Sequence, residues 1–282
     1  MNNASSTPSS NNQVQLADKG NACGLLGPTD PPPFEIYNPQ GQAPLVIVSD
    51  HASRQVPTSL GDLDLSSDHF DRHIAYDIGA DTITRCLADR LNARAVIAGY
   101  SRLVVDLNRY PDEPGCIPPI SDNTIIPGNQ NLSPEAVQMR LKALHTPYHQ
   151  AIDHEMKSVT KRDGTPPVIF SIHSFTPSMN GQDRIWDIGA LWHKDPRMPL
   201  ALMEHLKRWD GLCVGDNKPY SGADLAYTID AHGTHQGIAN CAVEIRQDHC
   251  GTQEEASHWA DILADALRHI LTLKNLHEIQ YY

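Results

Sequence analysis

Pro44-Leu45-Val46-Ile47-Val48-Ser49-Asp50-His51 is the stretch on which the fold turns. Leu45 to Val48 are all apolar, so the segment has no solvated face to offer. That pattern predicts a short strand buried on both sides, as in a parallel sheet. A second run, Val168-Ile169-Phe170-Ser171-Ile172, has the same character and ends at His173. Further strands are expected at Ala95–Ala98, Leu103–Leu107, Ile188–Trp192 and Ala242–Ile245. Between them lie helical patterns. Ile74, Ile78, Ile83, Leu87 and Leu91 mark a helix over 68–92. Ser133 caps and Pro134 opens another, running to about Lys161. Helices are also expected at 197–209 and 254–273.

Strands that alternate with helices imply an α/β fold. The expected form is a single domain with a central, mostly parallel or mixed twisted sheet and helices on both faces. Residues 1–35 are rich in Asn, Ser, Pro and Gly and read as a disordered leader to a domain over 36–282. A long loop rich in Pro, Gly and Asp spans 110–132.

Composition narrows the function classes. The chain has 22 basic and 34 acidic residues and a formal net charge of −12. With no Lys/Arg-rich run, nucleic acid is not an expected partner. No stretch of about 18 apolar residues occurs, so no membrane helix is expected. The first residues lack the basic start and apolar middle of a secretory signal. Six cysteines without a CxxC pair read as reduced thiols, and a cytoplasmic location follows.

Ligands of open α/β sheets bind past the carboxyl ends of strands. His51 and His173 stand there, and two imidazoles pointing into one cleft would suit zinc, which also takes carboxylate. Each could instead be a hydrogen-bonded histidine with no ion. Asp71 and His73 could swing into the same cleft, with Asp77 a turn further on. A rival cluster, His145, His149 and Asp153, shares one helical face. It lacks the glutamate of HExxH, so a structural or substrate-contact role is expected. Arg102, Asn108 and Arg109 bracket an apolar run, and a guanidinium fork matches a carboxylate. Arg102 could equally pair with Asp106 as scaffold. Glu244 lies inside an apolar strand. It must either find a partner such as Arg246 or face the cleft with a raised pKa, fit for a general base.

Four segments together resemble the N-formylglutamate amidohydrolase family: SDHASRQVP (49–57), YSRLVVDLNRYP (100–111), SIHSF (171–175) and VEIRQD (243–248). The likeness spans roughly residues 40–275, and the Ser101–Arg109 stretch is its most specific part. It implies kinship with zinc carboxypeptidases and aspartoacylases, and a mixed sheet of about eight strands. It also implies one zinc ion, with His51 and His173 as first and last ligands. Asn108 and Arg109 become the clamp on the substrate carboxylate, Arg102 an aid at the carbonyl, and Glu244 the base. The relatives carry a glutamate three residues after the first histidine, where this chain has Arg54, a cation. The carboxylate ligand must then come from elsewhere, and Asp71 is the expected one because the pattern around it resembles the family. The implied reaction releases formate or another short acid from an N-acyl amino acid, as in amino-acid catabolism such as histidine degradation. Two other readings stay open: a metal-free carboxylate-binding module, and a peptidase like the zinc carboxypeptidases.

Overall fold

The computed structural model describes residues 24–224 and 226–282. Its strands are β1 (Phe34–Tyr37), β2 (Leu45–Ser49), β3 (Arg94–Ala98), β4 (Ile120–Ser121), β5 (Thr124–Ile125), β6 (Val168–Phe175), β7 (Ser178–Met179), β8 (Gln182–Asp183), β9 (Ile188–Leu191), β10 (Val214–Asp216) and β11 (Asn240–Arg246). Its α-helices are α1 (Ala80–Leu91), α2 (Pro134–Arg140), α3 (Thr146–Asp163), α4 (Arg197–Leu206), α5 (Tyr227–His232) and α6 (Gln253–Ile270). Seven strands form one sheet in the order β1-β3-β2-β6-β11-β9-β10. Its centre, β3-β2-β6-β11, is parallel. β1 runs antiparallel at one edge; on the other side β9 pairs antiparallel to β11, and β10 lies parallel to β9 at the edge. β4–β5 and β7–β8 are separate hairpins.

The apolar runs read as they do because both faces are covered. Leu45 and Ile47 join one core with Ile83 and Leu87 of α1, Leu202 of α4 and Trp259 and Leu263 of α6. Val46 and Val48 point the other way, into a core with Tyr148, Ile152 and Val159 of α3. Each such Leu, Ile or Phe, removed from water, contributes about 2 kcal/mol. The central strands are thereby fixed, and their carboxyl ends present His51 and, inside β6, His173.

Three segments depart from the sequence reading. The expected helix over 68–92 begins only at Ala80. Gly79 before it takes φ 84°, and a side chain there would meet the Cys250 carbonyl at 2.3 Å. Residues 67–71 form a short 3₁₀ turn, and the chain then folds inward so that the Asp77 N–H donates to the His51 carbonyl. Leu103–Leu107 is no strand, although all five residues are buried. Side chains replace the ladder: Asn129 donates to the Leu103 carbonyl and Arg140 to that of Val104. Finally, residues 24–35 belong to the fold rather than to a leader. Leu25 is fully buried, Phe34 lies in the core, and the Tyr100 hydroxyl donates to the Pro31 carbonyl. A few apolar side chains and one free strand edge suffice to anchor this Pro-rich stretch. The remainder of the expected leader, residues 1–23, lies outside the described residues.

Candidate active site

The break before α1 decides the site. It brings Asp77 between the two strand-end histidines, whose ring centroids are 4.9 Å apart. Asp77 Oδ2 lies 3.3 Å from His51 Nδ1 and 2.9 Å from His173 Nδ1. Further carboxylates stand behind both rings. His51 Nε2 meets Asp106 Oδ1 at 2.7 Å, and His173 Nε2 faces Asp50 Oδ2 at 3.2 Å and Ser171 Oγ at 3.0 Å. Asp50 is held in turn by the Tyr148 and Thr228 hydroxyls.

Burial opposes ionisation of every group here, and the pairing reverses it. The positive charge of His51 and hydrogen bonds from both rings hold the Asp77 carboxyl well below the usual range despite burial. Burial raises the Asp50 carboxyl, but the His173 hydrogen bond and charge bring it down to about 2. Burial and Arg102 work against a charge on His51, yet Asp106 and Asp77 raise its pKa. Against the same burial, Asp50 and Asp77 raise His173 further.

This arrangement fits a metal ion. One nitrogen from each ring and one Asp77 oxygen all lie within 4.8 Å of one another. Both Nδ1 atoms face the shared carboxylate, and each Nε2 is oriented by an acid behind it, the arrangement that usually backs metal-bound histidines. Asp71, the expected third ligand, is not part of this cluster. It sits on the surface with 69% of its side chain exposed, paired with Arg54. His73 lines the cavity but faces Asp122 at 3.5 Å. Asp77 takes the place that the sequence reading assigned to Asp71.

The cluster opens into a cavity of about 230 Å³ that is also lined by Arg102, Asn108, Arg109, Tyr220 and Glu244. Glu244 pairs in register with His173 across β11 and β6. Its side chain is buried, and its Oε2 has no hydrogen-bond partner among the described residues. Burial pushes its pKa up to about 7, with His173 opposing. Arg246 does not neutralise it, being paired with Asp187 and Asp248. Arg102 spans the two key acids, reaching Asp77 at 3.2 Å and Asp106 at 3.0 Å. It is the scaffold partner of Asp106 that the sequence allowed, with 29% of its side chain still open to the cavity.

The segment carrying Asn108 and Arg109 is held from behind. His149 Nε2 lies 2.9 Å from the Leu107 carbonyl and His145 Nε2 3.1 Å from that of Arg109. His149 Nδ1 faces His232 Nε2, whose Nδ1 reaches Asp153, both at 2.9 Å. The Thr228 N–H donates to Asn108 Oδ1, which turns the Asn108 amide nitrogen toward His173 at 3.5 Å. The HTPYH histidines thus bond the main-chain carbonyls of this segment. Asp50 and Asp106 were the acids with the least warning in sequence. The only signal was a carboxylate next to, or inside, an apolar run.

A model of the N-formylglutamate amidohydrolase family matches residues 43–250. Among solved structures, a gene product of Agrobacterium tumefaciens superposes with a TM-score of 0.84 at 30% identity, over 88% of this chain and 98% of its own. An N-formylglutamate amidohydrolase from Ralstonia eutropha JMP134 shares the fold at a TM-score of 0.63 and 19% identity, over 84% of this chain and 98% of its own. No curated protein matches the chain.

Proposed function

The chain belongs to the N-formylglutamate amidohydrolase family, hydrolases of amide bonds, and from that premise we propose a zinc-dependent enzyme that releases formate or another short acid from an N-acyl amino acid such as N-formylglutamate. The observation that carries this reading is the convergence of both Nδ1 atoms on Asp77, each ring backed by its own acid. His51, Asp77 and His173 would hold the ion. When bound, zinc would lower the pKa of water and polarise the acyl carbonyl.

The protein's own groups do the rest. Glu244, poised at a pKa of about 7 and with no partner at Oε2 among the described residues, takes the proton of the attacking water and returns it to the leaving amine. Arg102 balances Asp77 and Asp106 and is the cation available to the developing oxyanion. Asn108 and Arg109 receive the amino-acid carboxylate, on a segment whose carbonyls His145 and His149 immobilise.

The cavity, about 230 Å³, suits a small acyl amino acid better than a peptide, which speaks against the peptidase reading. A metal-free binding module has no use for an unpartnered buried Glu244 or for acids behind both imidazoles. The five described cysteines are unpaired, in keeping with a cytoplasmic enzyme of amino-acid catabolism. No helix among the described residues is long and apolar enough to cross a membrane.

The deciding experiment measures zinc content and formate release on a panel of N-formyl and N-acetyl amino acids. Near-stoichiometric zinc, with turnover lost on chelation and restored by zinc, is the expected result. Full turnover after the metal is stripped would remove the proposal.

A further inference from the structure

One histidine on the cavity wall has no role in the steps above. His73 lines the cavity, with 26% of its side chain exposed. Its neighbour comes from the long loop over 110–132, whose hairpin β4–β5 turns at Asp122-Asn123. Both turn residues take positive φ, 43° and 58°, as a tight two-residue hairpin requires and as Asp and Asn tolerate. The turn delivers Asp122 to the chain before α1. Its Oδ2 lies 2.9 Å from Arg72 Nη2 and 3.5 Å from His73 Nε2. Arg72 also donates to the Thr124 hydroxyl at 2.9 Å, which pins the hairpin beside the ring.

This pairing sets the tautomer. A carboxylate only accepts, so Nε2 carries the ring proton toward Asp122. Burial lowers the His73 pKa, and Arg72 and Arg102 add to this against Asp122 and Asp77, which leaves the ring neutral near pH 7. Nδ1 is then a bare lone pair, and no hydrogen bond among the described residues uses it. Such a spare acceptor is scarce on this wall. Asp106 takes His51, Arg102 and the Asn108 N–H. Asp77 takes both histidines, Arg102 and the Ser174 N–H. Asn108 Oδ1 takes the Thr228 N–H, and Glu244 is reserved for the proton of the water. The reacting end of an N-acyl amino acid presents acceptors, its acyl oxygen and its carboxylate, and a single donor, the N–H of the scissile amide.

We propose that His73 is a specificity-determining residue whose Nδ1 accepts the N–H of the scissile amide, with Asp122 as the positioning residue behind it. The assignment rests on the amidohydrolase reading above. An ester of the same shape has an oxygen where the amide has its N–H, and the lone pairs of that oxygen face the lone pair of Nδ1. A site built around a hydrogen bond rejects the analogue that lacks it. The wall therefore selects amides over esters, whatever the acyl group or side chain. The 110–132 loop gains a function as the source of Asp122.

The test uses the full zinc-supplemented chain. It compares kcat/KM for N-formylglutamate and for the formyl ester of 2-hydroxyglutarate, corrected for spontaneous hydrolysis. His73→Phe keeps a ring and removes the acceptor, and it should lower the amide-to-ester ratio about 10-fold, the size of one neutral hydrogen bond in a site that leaves its partner unpaired. His73→Asn, whose side-chain oxygen can stand where Nδ1 does, should keep most of the ratio, and Asp122→Asn should lower it by a smaller factor. An unchanged ratio in active His73→Phe overturns the assignment, and His73→Leu gives the same reading where the phenyl ring blocks the cavity. A wild-type protein inert toward both substrates overturns the amidohydrolase reading, and this assignment with it.

Discussion

The molecule contains two histidine clusters that behave in opposite ways. Around His51 and His173, both rings turn Nδ1 to one shared carboxylate and Nε2 to a second acid. Around His145, His149 and His232, the rings face main-chain carbonyls and one another, and a single acid, Asp153, meets His232 at the outer end. Acids raise His51 and His173 despite burial, whereas burial, with His145 and His232 adding, drops His149 to about 3. Donor counting gives the same contrast. His149 Nε2–H donates to Leu107, His149 Nδ1 lies against His232 Nε2, and His232 Nδ1 lies against Asp153, so all four ring nitrogens are engaged. No lone pair on His149 or His232 remains for an ion. Histidine density therefore does not define a metal site; the number of acids and the direction of the nitrogens do.

The sharpest way to break this contrast is to neutralise the shared acid. Asp77→Asn keeps the shape and removes the charge between the rings. It should cost more than about 1000-fold in kcat/KM and most of the bound zinc, read by formate release and elemental analysis. His149→Gln should bind as much zinc as the wild type. Loss of zinc in that variant would mean that the two clusters are not separate.

A second effect, of intermediate size, is acid sensitivity. His149 is neutral in the folded protein, while an unfolded histidine takes up a proton near pH 6.5. The stability that this difference supplies is present above about pH 6.5 and is lost as the pH falls below it. Between about pH 7 and pH 5 the wild type should lose about 2 kcal/mol more than His149→Gln, measured by denaturant unfolding at each pH. Parallel losses in the two proteins would show that His149 is not the buried neutral ring described here.

The smallest effect belongs to the acid that the sequence favoured. Asp71→Asn breaks only an exposed pair with Arg54, so stability should change by less than about 0.5 kcal/mol and zinc content should not move. A drop in zinc would restore Asp71 to the site.

Asp71 and Asp77 also show where sequence reading runs out. The apolar spacing over 68–92 is compatible with one continuous helix, and on that reading the acid nearest its start is the natural ligand. The close approach of Gly79 to Cys250, which lies far away in the chain, stops the helix short and turns Asp77 inward. Leu103–Leu107 fails for a related reason: buried carbonyls can be satisfied by Asn129 and Arg140 as well as by a strand. Local periodicity records burial but not which partner provides it. The buried Glu244 was easier to read, because a glutamate inside an apolar strand is conspicuous in any context.

The sequence by itself determined the buried parallel strands, the two histidines that they carry, the Asn108–Arg109 pair at the cavity, and the family likeness. These are carried by runs of neighbouring residues, whose pattern is set by burial on both faces of a sheet. Only the tertiary structure decided which acid joins the histidines and which acids stand behind them. Those outcomes depend on contacts between residues far apart in the chain, 98 positions for Tyr148 with Asp50 and 178 for Thr228 with Asp50, which no local pattern encodes.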